Sequence, residues 1–183
     1  MKKLFSSTAS ICAIAAVIGL FCVAPALAQM AGGPASAVPA QLQPPAPAAP
    51  LLRANAQGSQ IYTCTAKPGG AGFEWTFKAP EATLSDASGK PVAEHFAGPT
   101  WRAEDGSTVV GEVAANAPAP SGQGIAWLLL KAKSHQGAGA FAGVSYIQRI
   151  ETNGGLAPSV GCDAAHVDQE QKVPYTAVYL FYK

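Results

Sequence analysis

The chain has 183 residues, a formal charge of +1 and only 13% charged residues. Twelve basic residues stand against eleven acidic ones with no basic cluster, which excludes a charge-built surface for nucleic acid or anionic membrane. The folded portion is long enough for one core and too short for two ordinary domains.

The N-terminus reads as an export signal. Lys2 and Lys3 precede an apolar run over residues 11–24, and Ala26, Leu27 and Ala28 fit a small-x-small cleavage site. The run is shorter than the roughly 20 residues a spanning helix needs, so cleavage after residue 28 is expected, with no membrane span in the mature protein. Phe21 before Cys22 speaks against lipoprotein processing. The mature chain is therefore expected outside the cytoplasm, periplasmic or secreted. Loss of Lys2 and Lys3 leaves ten basic against eleven acidic residues, a formal charge of −1. Only Cys64 and Cys162 remain, and an oxidising compartment allows them one pairing. That disulfide closes a loop of roughly 100 residues, worth at most about 4–5 kcal/mol in the chain-entropy account.

Residues 29–56 are rich in Ala, with Pro34, Pro39, Pro44, Pro45, Pro47 and Pro50. Each proline removes a backbone donor, so this segment is expected to be a disordered Pro/Ala-rich spacer. The single domain is then expected over 57–183.

Strand signals follow at close spacing. Ile61, Thr63 and Thr65 alternate with Tyr62 and Cys64; Phe73, Trp75 and Phe77 share a face opposite Glu74 and Thr76. Pro80 is expected to end that strand, with a short one over 82–85. Turns at 86–89 and 98–99 bracket a strand over 92–96. Asp105-Gly106 predicts a tight hairpin between 100–103 and 108–113. Two apolar strands lie within 125–155, separated by a small-residue loop. Their continuous hydrophobicity suits strands buried on both faces, and the Gln148-Arg149 pair beside them demands polar partners. A long connection over 152–171 carries Cys162 and His166, with room for a short helix at 163–169. In the last strand Tyr175, Ala177, Tyr179 and Phe181 face one way. The pattern predicts an all-β domain of about eight or nine antiparallel strands, a sandwich or barrel, with its two ends close together.

The order and spacing of these motifs resemble a known family. The stretches are 61–64, Trp75, 80–84, 95–101, 105–107, 126–130, 146–149, 152–155, Ala157-Pro158, Cys162, 173–177, Tyr179, Phe181 and Tyr182. Together they are similar to the exported-protein family catalogued as domain of unknown function 3455, from about Gln60 onward. That resemblance implies membership but no activity, cofactor or catalytic residue.

No catalytic constellation stands out. There is no Gly-x-Gly-x-x-Gly turn between strand and helix and no Gly-x-Ser-x-Gly elbow, so no cofactor is expected. His95, His135 and His166 sit on separate segments without metal-ligand spacing, and no metal site is expected. Asp105-Gly106-Ser107 reads as turn chemistry. The ligand-binding candidates are His95, Trp101, Arg149, Glu151 and Asn153. His95 is either a polar anchor in a cleft beside Trp101 or a ring bonded to turn backbone near Pro99. Trp101 is expected to be the most exposed tryptophan, Trp75 and Trp127 to be core. Arg149 and Glu151, two apart, are read as sharing a face, as an anion clamp or an internal ion pair. These features favour a non-catalytic binding or interaction module for a small ligand or an envelope component. The alternatives are a small hydrolytic or metal-assisted enzyme using His95, and a surface structural protein.

Overall fold

The computed structural model describes residues 37–183. The export signal expected over 1–28 and the first part of the spacer, 29–36, lie outside the described residues. The described chain holds eight antiparallel strands and no α-helix. They are β1 (Pro50–Ala66), β2 (Phe73–Ser85), β3 (Pro91–Phe96), β4 (Thr100–Ala103), β5 (Thr108–Ala117), β6 (Trp127–Gln136), β7 (Tyr146–Gly154) and β8 (Glu170–Tyr182). Each pairs with the next in sequence, and β8 pairs back to β1, so the sheet closes into a barrel whose β2 runs on past β3.

Period-two alternation decides which side chains enter. On β1, Ala54 and Ala56 face the interior while Arg53, Asn55 and Gln57 face solvent. On β8, Tyr175, Ala177, Tyr179 and Phe181 point inward, as their alternation predicts. The small interior alanines make room for Trp101, Phe141, Tyr179 and Phe181.

The two ends of the barrel differ. At one end the β6–β7 loop folds inward, and Phe141 stacks on Phe181 with centroids 4.6 Å apart. The β4–β5 turn fastens that plug. Asp105 Oδ1 accepts from the amide and hydroxyl of Ser107, Asp105 Oδ2 accepts from the Ala140 amide, and Ser107 Oγ accepts from the Phe141 amide. Asp105-Gly106-Ser107 is thus turn chemistry with a second task. Gly139 passes so close that a Cβ there would lie 2.4 Å from the Asp105 carboxylate. At the other end lie the β1–β2, β3–β4 and β5–β6 turns and the long β7–β8 connection. That connection is held against β1 and β2, on the face that carries Tyr62 and Phe77, by the Cys64–Cys162 disulfide and by Trp75 Nε1 donating to the Val160 carbonyl at 2.8 Å. Trp75 is accordingly half-buried beneath it, not core as expected. Residues 163–169 form turns, and β8 begins at Glu170.

Two more expectations change. Pro80 lies inside β2 instead of ending it. It is tolerated because β2 pairs with β3 only from Ala82 onward, and the β1–β2 register shifts beside it at Ile61/Tyr62. The Pro/Ala-rich segment is not a spacer throughout. β1 starts at Pro50, and a 3-10 turn at Ala40–Leu42 lies on the barrel wall. Its reason is the outer face of β6, β7 and β8, where Trp127, Leu129, Ile150 and Val178 form a second apolar cluster closed by Leu42. Gln148, in the same face, donates to the Leu42 carbonyl at 2.6 Å. The strands at 125–155 are therefore buried on both faces over residues 127–130 and 146–150, where residues 38–42 supply the second cover, and are exposed at Lys131, at 133–136, and at Glu151 and Asn153.

Leu42 is fully buried, so Leu42→Ala is expected to destabilise the domain by about 2–5 kcal/mol in urea unfolding. An effect under about 0.5 kcal/mol, the range of an ordinary surface change, would mean that residues 38–42 do not cover the barrel.

Candidate functional site

β2 outruns β3. Over residues 73–81 its far side has no paired strand, and the β3–β4 turn leaves a gap in the wall there. Behind that gap, at the end of the barrel opposite the Phe141 plug, lies a cavity of about 370 Å³. Its rim carries Phe77 and Val113, 51% and 54% exposed, together with Pro80, Gly98 and Pro99. Its walls are largely apolar, from Trp101, Ile125, Leu128 and Leu130, with Gln60, Tyr62, His95, Arg149 and Tyr179 as the polar groups within.

His95 and Trp101 face inward on β3 and β4 and are direct cross-strand partners. The Gly98 turn, with φ of 87°, brings them together. Their rings stack 4.3 Å apart and 5° from parallel, and Tyr179 meets both edge-on. Gly111 on β5 leaves the space, since a Cβ there would lie 3.1 Å from the Trp101 ring. His95 Nδ1 lies 2.9 Å from the Thr100 carbonyl. A carbonyl only accepts, so Nδ1 carries the proton and Nε2 is left as an acceptor. Burial pushes the imidazole down to about 4, and the Arg149 charge adds to that, while the Thr100 bond opposes it. The ring is therefore neutral at ordinary pH. His95 is thus bonded to turn backbone, and its ring stacks on Trp101 in the cavity wall.

Arg149 enters from β7, between Leu128 and Tyr179 on the flanking strands. Its Nε and Nη2 both donate to the Ala126 carbonyl, at 3.1 and 2.8 Å. It makes no ion pair with any described carboxylate. Lys78 at the rim, by contrast, is paired with Glu170. Burial raises the phenol of Tyr179, against the pull of the Arg149 charge. The Tyr179 hydroxyl, Gln60 Nε2 and Trp101 Nε1 are buried without hydrogen-bond partners.

Three of the five candidate residues thus meet in one cavity, and two do not. Glu151 has a φ of 52°, and the β7–β8 register shifts between Ile150 and Asn153. The bulge breaks the two-residue alternation, so Glu151 leaves the face of Arg149 and pairs with Arg53 outside the barrel at 3.5 Å. Asn153 is exposed and also outside this cavity. Trp101 is 1% exposed, the reverse of its expected exposure, because its strand points it inward. Gln60, Tyr62, Phe77 and Tyr179 were not singled out in the sequence. The shared face of Tyr175, Ala177, Tyr179 and Phe181 on the last strand was the available signal. Among the described residues no group of three or more His, Cys, Asp or Glu is placed to hold a metal ion. His135 Nε2 lies 2.7 Å from the Val144 carbonyl, and His166 pairs with Asp163.

The family model described as a protein of unknown function, DUF3455, matches residues 45–183. The chain belongs to the DUF3455 family. The match begins before β1, in keeping with a domain that reaches into the Pro/Ala-rich segment. No curated protein and no solved structure matches the chain.

The His95 shift has a signed consequence. Its folded pKa, about 4, lies below the ordinary 6.5, so the unfolded chain takes up this proton first as pH falls. Stability from this group is complete above pH 6.5 and is lost as pH drops toward 4. A drop from pH 7.5 to 4.5 is expected to cost wild type on the order of 2–3 kcal/mol more than His95→Gln, each measured by urea unfolding. Equal losses in both proteins would show that His95 is not held neutral by burial.

Proposed function

We propose that this protein is an exported, non-catalytic binding protein that takes one small, largely apolar molecule into the open end of its barrel. The observation that carries this reading is the 370 Å³ cavity, sealed behind by packed aromatic side chains and open through the gap beside β2. Small-molecule pockets run from about 300 to 1,000 Å³, apolar with a few placed polar groups. An eight-stranded barrel has an interior that is filled by side chains or holds one small ligand. Here the plugged half is filled and the other half is not.

A hydrolytic role for His95 has less support. Its partner is a backbone carbonyl and not a carboxylate, and a base with a pKa near 4 is weak at neutral pH. Export is supported by the basic start, apolar core and cleavage site of the N-terminus, together with the disulfide that suits an oxidising compartment.

A neutral fluorescent amine small enough for this space, 1-naphthylamine, is a suitable probe. Wild type is expected to bind one equivalent with enhanced probe emission. Leu128→Trp, which fills the cavity, is expected to weaken binding at least tenfold. Val160→Trp, on an exposed loop position, is expected to leave it unchanged. Absence of saturable binding by wild type, or equal binding by correctly folded Leu128→Trp, would defeat the proposal.

A further inference from the structure

The polar groups of the cavity are unbalanced. Arg149 brings a fixed positive charge with no described carboxylate paired to it. Gln60 Nε2, Trp101 Nε1 and the Tyr179 hydroxyl are covered by neighbouring atoms and offer a ligand no contact. The neutral His95 ring brings no second charge. A half-buried guanidinium without a counter-charge is costly to keep, and a ligand carrying a negative charge relieves that cost.

The orientation of Arg149 narrows the chemistry. Its Nε and Nη2 grip the Ala126 carbonyl, which uses the side edge of the guanidinium. The end edge, formed by Nη1 and the second Nη2 hydrogen, makes no other bond within hydrogen-bond distance, with the Tyr179 hydroxyl beside it. That fork matches the two oxygens of a carboxylate. Only one uncompensated charge faces the cavity, since Lys78 is neutralised by Glu170. The group recognised is therefore a monoanion. At about 30 Å³ for each water-sized group, a 370 Å³ cavity holds a molecule of roughly a dozen non-hydrogen atoms.

We infer that the ligand is a small amphipathic carboxylic acid, its carboxylate held by the free edge of Arg149 and its apolar body lying against Leu128, Leu130 and the mouth at Phe77. This rests on the cavity being a small-molecule site, as proposed above.

Matched pairs of equal shape separate the two claims. Octanoate with octanamide, and 2-naphthoate with 2-naphthamide, are titrated by calorimetry at pH 7. Wild type is expected to bind each acid at least tenfold more tightly than its amide. In Arg149→Met the preference is expected to shrink to within about twofold, with the amides still bound. Equal binding of acid and amide by wild type overturns the carboxylate assignment while leaving the pocket standing. A preference that survives in Arg149→Met assigns it to another group and overturns the role of Arg149. Binding of none of the four by wild type removes the pocket reading and this inference with it. The wild-type comparison needs no variant, so a misfolded Arg149→Met leaves the carboxylate assignment open to refutation.

Discussion

Everything in this domain follows from the pairing of β8 with β1. The register runs from Pro50 opposite Tyr182 to Thr63 opposite Glu170, nearly the full length of both strands. Closure removes the sheet edge except where β2 runs past β3, and with it most of the unpaired backbone that invites other strands. It also fixes an interior whose contents are one side chain in two from every strand. Once the ring is closed, each inward residue either packs against others or borders a hole. The Cys64–Cys162 disulfide, spanning 98 residues, acts at the same seam, tying the connection before β8 to the strand it joins.

Closure makes the barrel's ends the places where chemistry is decided. The plugged end is a small hydrogen-bond device. The Ser107 hydroxyl and the Ala140 and Ser107 amides hold the Asp105 carboxyl below the usual carboxylate range, so the clamp stays charged well into acid. It draws Phe141 inward against Phe181. The open end has no such clamp. There β2 overshoots β3, the disulfide ties the β7–β8 connection to β1, and Phe77 stands half in solvent. One end is closed by packed aromatic rings and the other is open through the gap beside β2.

Much of the wall was legible because period-two patterning is local. The hairpin at Asp105-Gly106, the inward tyrosines of the last strand and the cysteine pair all follow from neighbours in sequence or from simple counting. What was not legible depends on distant partners. Trp101 follows a Gly-Pro turn, the usual mark of an exposed loop, yet is buried because ring closure points β4 inward. Glu151 carries the correct spacing to accompany Arg149, but a positive φ at that residue turns it out of the barrel. No local signal distinguishes a bulge from regular strand there. Residues 38–42 look like linker by composition, and only the apolar outer face of β6 to β8 explains why Leu42 is held. The clue lay elsewhere, in strands 125–155 too hydrophobic to face water on either side and in a Gln-Arg pair needing partners. Those partners are two backbone carbonyls, Leu42 outside for Gln148 and Ala126 inside for Arg149.

That last pairing accounts for the electrostatics of the mouth. A guanidinium left wholly unpaired in an apolar barrel would carry its desolvation cost with nothing to offset it. The Ala126 carbonyl satisfies one edge without cancelling the charge, which an internal carboxylate would do. The positive potential therefore survives into the cavity. It lowers His95 and works against the burial of the tyrosine phenols in the same way. His95, held neutral, adds no second charge above about pH 4 and so leaves Arg149 as the one unpaired cation of the cavity wall among the described residues. Lysine in its place could not divide its donors in this way. An ammonium has no flat fork with one edge for a carbonyl and another kept free, and it is more strongly hydrated, so burial would push it toward neutrality. The arrangement thus holds a charge in an apolar space by giving it a dipole for company and leaving its outward edge unspent.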